Sequence, residues 1–185
     1  RILDEAGYED TDGDGFREDP DGEPLEIQMA SMSGGDVAEP LTNYYIQSWR
    51  EVGLNVVKTD GRLIEFNTFY DMVENDDEGI DIYQGAWGVG TDVDPGGLYG
   101  PEAPFNYPRY ETEESTELIK RGNSEEALDT DTRTEIYHEW QELMAEDIPV
   151  APTLYRAFVT PVSENVVGWS EEYGHDPEGY NSLTG

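Results

Sequence analysis

Cysteine is missing from all 185 residues. That excludes disulfides and thiolate chemistry, and it leaves only histidine and carboxylates to bind zinc. Basic residues are scarce, ten Lys and Arg against 43 Asp and Glu, a formal charge of −33. The two lysines are Lys58 and Lys120. So negative a surface repels phosphate backbones and anionic bilayers, and nucleic acid is excluded as a partner. The two histidines, His138 and His175, lie far apart and form no HExxH pattern. No Gly-x-Ser-x-Gly elbow and no phosphate-binding glycine loop occurs. With so many acids, a carboxylate pair at glycosidase spacing carries no information. An enzyme is therefore not expected. No apolar run approaches the roughly 18 residues of a membrane helix, and no secretory leader pattern is present.

What the chain does hold is aromatic. Four Trp, twelve Tyr and five Phe can bury a core despite 36% apolar content. A folded domain is expected rather than a disordered one. Salt would screen the self-repulsion of the acidic surface, so a salt-loving or acid-tolerant source is expected, with stability that rises on adding salt; an unusually acidic mesophilic surface is the alternative. The start, Arg1-Ile-Leu-Asp-Glu-Ala-Gly7, reads as helix interior, as if cut from a longer protein.

The organising stretch is 81–100. An apolar run, 80–87, ends at Trp87 and enters a glycine-rich loop that carries Asp92 and Asp94. A strand that ends in such a loop exposes backbone groups and lets another backbone approach. The same pattern fits a plain strand and turn. Asp-Pro at 94–95 also favours turn initiation.

Around that stretch the periodicities alternate. Gly7 should cap a short helix. Residues 25–29 read as a strand. Val37, Leu41, Tyr44, Tyr45, Ser48, Trp49 and Val52 recur at helical spacing up to Gly53, with Pro40 in the first turn, where it costs least. Residues 54–58 read as a second strand, 66–73 as a helix, and 80–87 as a third strand. This β-α-β-α-β order predicts an α/β fold with a mostly parallel sheet flanked by helices. Beyond an irregular stretch at 88–110, helices are expected over 113–121 and from about Thr132. Thr132 and Glu135 fit a capping box there, and Ile136, Trp140, Leu143 and Met144 form one face. Residues 153–159 read as a strand, and the end, 171–185, as turn-like or packed on an absent lobe.

One more motif stands near the start. Asp10, Asp12 and Asp14 with Gly15 match positions 1, 3, 5 and 6 of an EF-hand calcium loop. Phe16 would supply its carbonyl and Asp21 would take the last position. Asp21 replaces the usual Glu, Pro20 precedes it, and a strand follows instead of a helix. The residues fit either a weak calcium site or a polar turn. A calcium-dependent interaction module is the alternative function this loop suggests, though no second copy of it occurs.

Taken in order, several segments resemble one family. They are Leu3-Asp-Glu-Ala-Gly-Tyr8 with Asp12-Gly-Asp-Gly-Phe-Arg17, Gly22-Glu-Pro-Leu-Glu26, Ile46-Gln-Ser-Trp-Arg-Glu-Val-Gly-Leu54, Asp81-Ile-Tyr-Gln-Gly-Ala-Trp87 with Asp94-Pro95, and Trp140-Gln-Glu-Leu-Met-Ala-Glu-Asp-Ile-Pro149 with Pro152-Thr-Leu-Tyr155. Together they resemble the C-terminal lobe of family 5 extracellular solute-binding proteins, the oligopeptide-, dipeptide- and nickel-binding components of ABC importers. The wording at 44–49 and 66–70 is closest to oligopeptide binders.

The resemblance implies a type II periplasmic-binding-protein lobe over residues 1–170. It implies a peptide ligand enclosed by two lobes, permease subunits as membrane partners, a monomer, and a lipid tether outside the membrane. No cofactor is required. Backbone groups of Ala86, Trp87 and Gly88 would extend a peptide strand without reading its side chains. An Asp on the following loop would meet the peptide's ammonium. That loop is one residue longer here than in the peptide binders, so Asp92 is the first candidate and Asp94 the second. A nickel chelate or a sugar is the alternative solute.

Overall fold

The structure is a computed structural model that describes residues 1–88, 92–155, 161–163 and 165. Its contacts gather into two compact units, Arg1–Trp87 and Gly88–Gly185.

The first unit opens with a short helix, α1 (Ile2–Glu5). Gly7 ends it at φ 87, and the Tyr8 N–H reaches back to the Leu3 carbonyl. Only a residue free of a Cβ takes that left-handed turn cheaply, as the sequence predicts. Next come β1 (Glu26–Ser31), α2 (Ala38–Arg50), β2 (Asn55–Lys58), α3 (Phe66–Glu74) and β3 (Ile82–Gln84). The strands form one parallel sheet in the order β2-β1-β3. Glu26 to Met29 of β1 pair with Asn55 to Lys58, and Met29 to Ser31 pair with Ile82 to Gln84. The central strand is accordingly the buried one, with Met29, Ala30 and Ser31 almost wholly covered.

Met29, Ile46 of α2 and Val56 of β2 form a core cluster, with Ile27, Tyr45, Trp49, Leu54 and Ile82 packed around it. The buried side of α2 is thus Thr42 and Ile46. Val37, Tyr44 and Val52, which the apolar spacing put on the inner face, are half-exposed or more. Thr42 hides in the core because its hydroxyl donates to the Ala38 carbonyl at 2.8 Å, which satisfies its polarity locally. The expected third strand, 80–87, shrinks to three residues. Among the described residues β3 lies at the sheet's edge and pairs with the last half of β1.

In the second unit α4 (Gly96–Tyr99) precedes α5 (Glu113–Gly122) and α6 (Thr130–Asp147). Thr112 caps α5 by accepting the Ser115 N–H. Glu113 and Glu114 lie in its first turn and Lys120 and Arg121 in its last, both matched to the helix dipole. The expected capping box at Thr132 is replaced: Asp129 is the N-cap, and it accepts from both the N–H and the hydroxyl of Thr132. Leu118, Ile119, Ile136, Tyr137 and Met144 are buried in this unit. Trp140 closes on α5 by donating from Nε1 to Ser115 Oγ at 3.0 Å. His138 is exposed. Residues 153–155 carry no strand, and the rest of the expected strand at 156–159 lies outside the described residues, as does the segment 171–185.

Candidate functional site

The carboxyl ends of the parallel strands are the place where open α/β sheets bind ligands. Here they are tied together by side chains. Gln84, the last residue of β3, accepts at Oε1 from Ser31 Oγ of β1 at 3.4 Å, and Thr42 Oγ1 of α2, whose proton goes to the Ala38 carbonyl, lies 3.3 Å from it. Ser31 and Thr42 are buried, so this polar knot is shielded from water. Ile64 continues β1's pairing beyond the sheet through a bridge to Met32. Gly85, Ala86 and Trp87 then leave the sheet exposed, Trp87 at 43%. Trp87 is therefore not the buried core anchor that a plain strand end would use. Gly88 begins the second unit and is also exposed.

The loop of the second unit separates the two candidate carboxylates. Asp94 works for the fold. Its Oδ1 accepts the Gly96 N–H at 2.9 Å and Asn123 Nδ2 at 2.9 Å, and the Tyr137 hydroxyl reaches it at 3.4 Å. The Asp-Pro turn thereby starts α4 and fastens it to α5. A Cβ on Gly96 would lie 3.1 Å from the same carboxylate, close enough to push it aside by a few tenths of an ångström.

Asp92 is different: its side chain is 66% exposed. Its Oδ1 accepts Arg133 Nη2 at 2.7 Å and the Asp94 N–H at 3.1 Å, so the two candidates sit together on one loop. The hydrogen bond from Arg133 holds the Asp92 carboxyl below the usual carboxylate range, with help from the Asp94 N–H. Asp92 is thus ionised at neutral pH and open to solvent, the state in which a carboxylate receives an ammonium.

The acidic loop near the start resolves into turn chemistry. Asp10 Oδ1 accepts the Gly13 N–H at 2.7 Å and its Oδ2 accepts the Gly15 N–H at 3.1 Å. Asp12 accepts Asp14 N–H and Asp14 accepts Phe16 N–H, each a side-chain turn two residues long. The carboxylates that the structure gathers are Asp10, Asp12 and Glu18, with ligand atoms within 4.8 Å of one another. Among the described residues these could hold a cation. Asp14 and Asp21 are outside that group. Glu18 carries no spacing signal, because the bridge from Glu18 to Pro24 brings it back under the loop. It is buried, and it accepts from Thr11 N–H at 2.7 Å and Thr11 Oγ1 at 2.6 Å. The hydroxyl and N–H of Thr11 lower its pKa, while burial and the Asp10 charge oppose them.

Arg17 fastens this loop to the rest of the unit. It donates to Asp4 Oδ1 and the Tyr8 carbonyl at 2.6 Å each, and from Nε to the Val52 carbonyl at 2.8 Å. Gly53 must be glycine for this: its φ is 86, and a Cβ there would lie 3.1 Å from the Arg17 side chain.

Residues 1–108, more than half of the chain, match the model of the bacterial extracellular solute-binding proteins, family 5 middle region. The chain belongs to that family. It is 31% identical over 176 residues to an oligopeptide-binding protein, OppA of Lactococcus lactis subsp. lactis strain IL1403, covering 94% of this chain and 29% of OppA. Lactococcal OppA with an endogenous peptide, in a closed conformation, matches in structure at a TM-score of 0.74 and 27% identity, over 80% of this chain and 28% of that one. AppA of Bacillus subtilis in complex with a nonapeptide matches at 0.69 and 22% identity, over 80% and 29%. The second likeness shows the shared fold. The chain spans about three-tenths of the length of these relatives. The resemblance read from the sequence thus holds at the level of family and α/β fold.

Two residues of this family 5 chain escaped sequence reasoning. Arg133 is 41 residues from Asp92, on a helix whose spacing pointed only to a core face. Glu18 was hidden among many acids. Nothing in the local pattern marks either one.

Proposed function

We propose that this chain is part of the substrate-binding component of an ABC importer. It captures extracellular oligopeptides between two lobes and delivers them to permease subunits in the membrane. Residues 1–170 supply the C-terminal lobe. The whole protein acts as a monomer tethered outside the membrane by a lipid on its N-terminal part. No cofactor enters this reading.

The observation that carries the peptide is Asp92: an exposed, ionised carboxylate on the loop after β3, in a chain 31% identical to an oligopeptide-binding protein. It receives the peptide's ammonium in a charge-assisted contact that strengthens as closure excludes water. The exposed backbone at Ala86, Trp87 and Gly88 adds main-chain hydrogen bonds, which give affinity without demanding a sequence. Trp87 adds an apolar wall. Asp94, already spent on Gly96 and Asn123, keeps the loop in shape.

Mass spectrometry of ligands that co-purify with the full-length protein tests this reading. A mixture of short peptides with free amino termini is expected. A nickel chelate or an oligosaccharide in their place overturns it.

A further inference from the structure

Arg133 is built in more firmly than an ordinary surface ion-pair partner. Its Nε donates to the Gly122 carbonyl at 3.2 Å, and its guanidinium lies over the Tyr137 ring, 5.3 Å from the centroid. Tyr137 is itself buried, 5% exposed. It reaches its place because residue 122 has no side chain: a Cβ there would lie 2.5 Å from the ring. The guanidinium therefore has two partners that do not depend on Asp92. A planar fork held this way keeps one direction for its remaining N–H groups.

That direction ends on Asp92. The bonds to Asp92 from Arg133 Nη2 and from the Asp94 N–H both fall on Oδ1, and the Val93 N–H makes a smaller contribution to the carboxylate. No side chain of the described residues bonds to Oδ2. A carboxylate has about four acceptor positions, so one gripped by a single oxygen still offers the other. The charges agree with this. Asp92 and Asp94 against Arg133 leave one formal negative charge in the cluster, so a cation is still attracted after the internal pair has formed.

We infer that Arg133 is a positioning residue for ligand recognition: anchored on Gly122 and Tyr137, it holds Asp92 by Oδ1 and turns Oδ2 toward the ammonium of a peptide ligand. The inference rests on the peptide reading above. Exposed ion pairs add little to stability, so the service of this pair is orientation. Without it, the carboxylate samples its rotamers, and the ordering cost falls on the ligand.

The test uses the full-length protein and a pentapeptide library, half of it N-acetylated. The retained ratio of free to acetylated peptides is read by mass spectrometry. Wild type is expected to favour free amines by about tenfold or more, the range of a hydrogen bond to a charged group. Arg133→Met should bring that ratio several-fold toward one and leave retention of acetylated peptides unchanged. Arg133→Lys keeps the charge but cannot serve Gly122 and Asp92 together, so its ratio should fall between, and it stands in if Arg133→Met folds poorly. An unchanged ratio overturns the inference. So does equal weakening of both forms, which marks a merely structural arginine, or a rising ratio, which marks a competitor of the ligand. A wild type without preference sinks the Asp92 assignment and this inference together, whereas a wild-type preference that survives in both variants sinks this inference alone.

Discussion

Two acidic loops of this chain look alike in sequence and place their carboxylates differently. The loop at 10–18 turns its carboxylates onto its own backbone: Asp10, Asp12 and Asp14 accept the N–H groups of Gly13, Gly15, Asp14 and Phe16, and Glu18 accepts Thr11. The loop at 92–96 spends one acid, Asp94, in the same way. It leaves the other, Asp92, exposed and held by a cation from another element. In a chain with a formal charge of −33, the number of acids in a loop is uninformative. What sets Asp92 apart is its exposure and its partner, Arg133.

The largest effect is expected at Arg17. Arg17→Met removes donors from two backbone carbonyls and one carboxylate. It should cost about 2–3 kcal/mol in denaturant unfolding, with ligand selectivity untouched. If selectivity shifts as well, the first loop is not purely structural. Asp94→Ala comes next. It strips acceptors from Gly96 and Asn123 and should cost about 1–2 kcal/mol, again with the preference for free amino termini kept.

A smaller and pH-dependent effect is expected at Glu18. Its folded pKa is depressed by Thr11, so the stability it adds is present above the unfolded value and is lost as pH falls through the folded one. The melting temperature of Glu18→Gln should lie below wild type at neutral pH, and the gap should close in acid, below about pH 4. A gap that stays constant with pH would trace the effect to packing and not to ionisation. Asp92→Asn should be the mildest for stability, with a melting temperature close to wild type, since its side chain is mostly in water.

Much of the fold was legible. The spacing located β1, α2, β2, α3 and α5 to within a few residues, and Gly7 announced its own turn. Legibility failed where tertiary partners outweigh local preference. β3 stops at Gln84 because its ladder with β1 ends at Ser31, where β1 itself ends. Thr42 is buried because a backbone carbonyl satisfies its hydroxyl. Asp129 starts α6 because its carboxylate meets both the N–H and the hydroxyl of Thr132, which makes Thr132 the recipient of the cap and not its source.

In the candidate site, the loop and its two acids are visible in the chain. The assignment of Asp94 to the fold could not, because Asn123 and Tyr137 come from two other helices. Arg133 escaped for the same reason.

The most direct test compares Asp92→Asn with Asp94→Asn in the full-length protein, by calorimetric titration with a peptide that co-purifies with wild type and with its N-acetylated form. Asp92→Asn should erase the advantage of the free amino terminus, and Asp94→Asn should retain it. The same advantage in Asp92→Asn as in wild type would contradict the account.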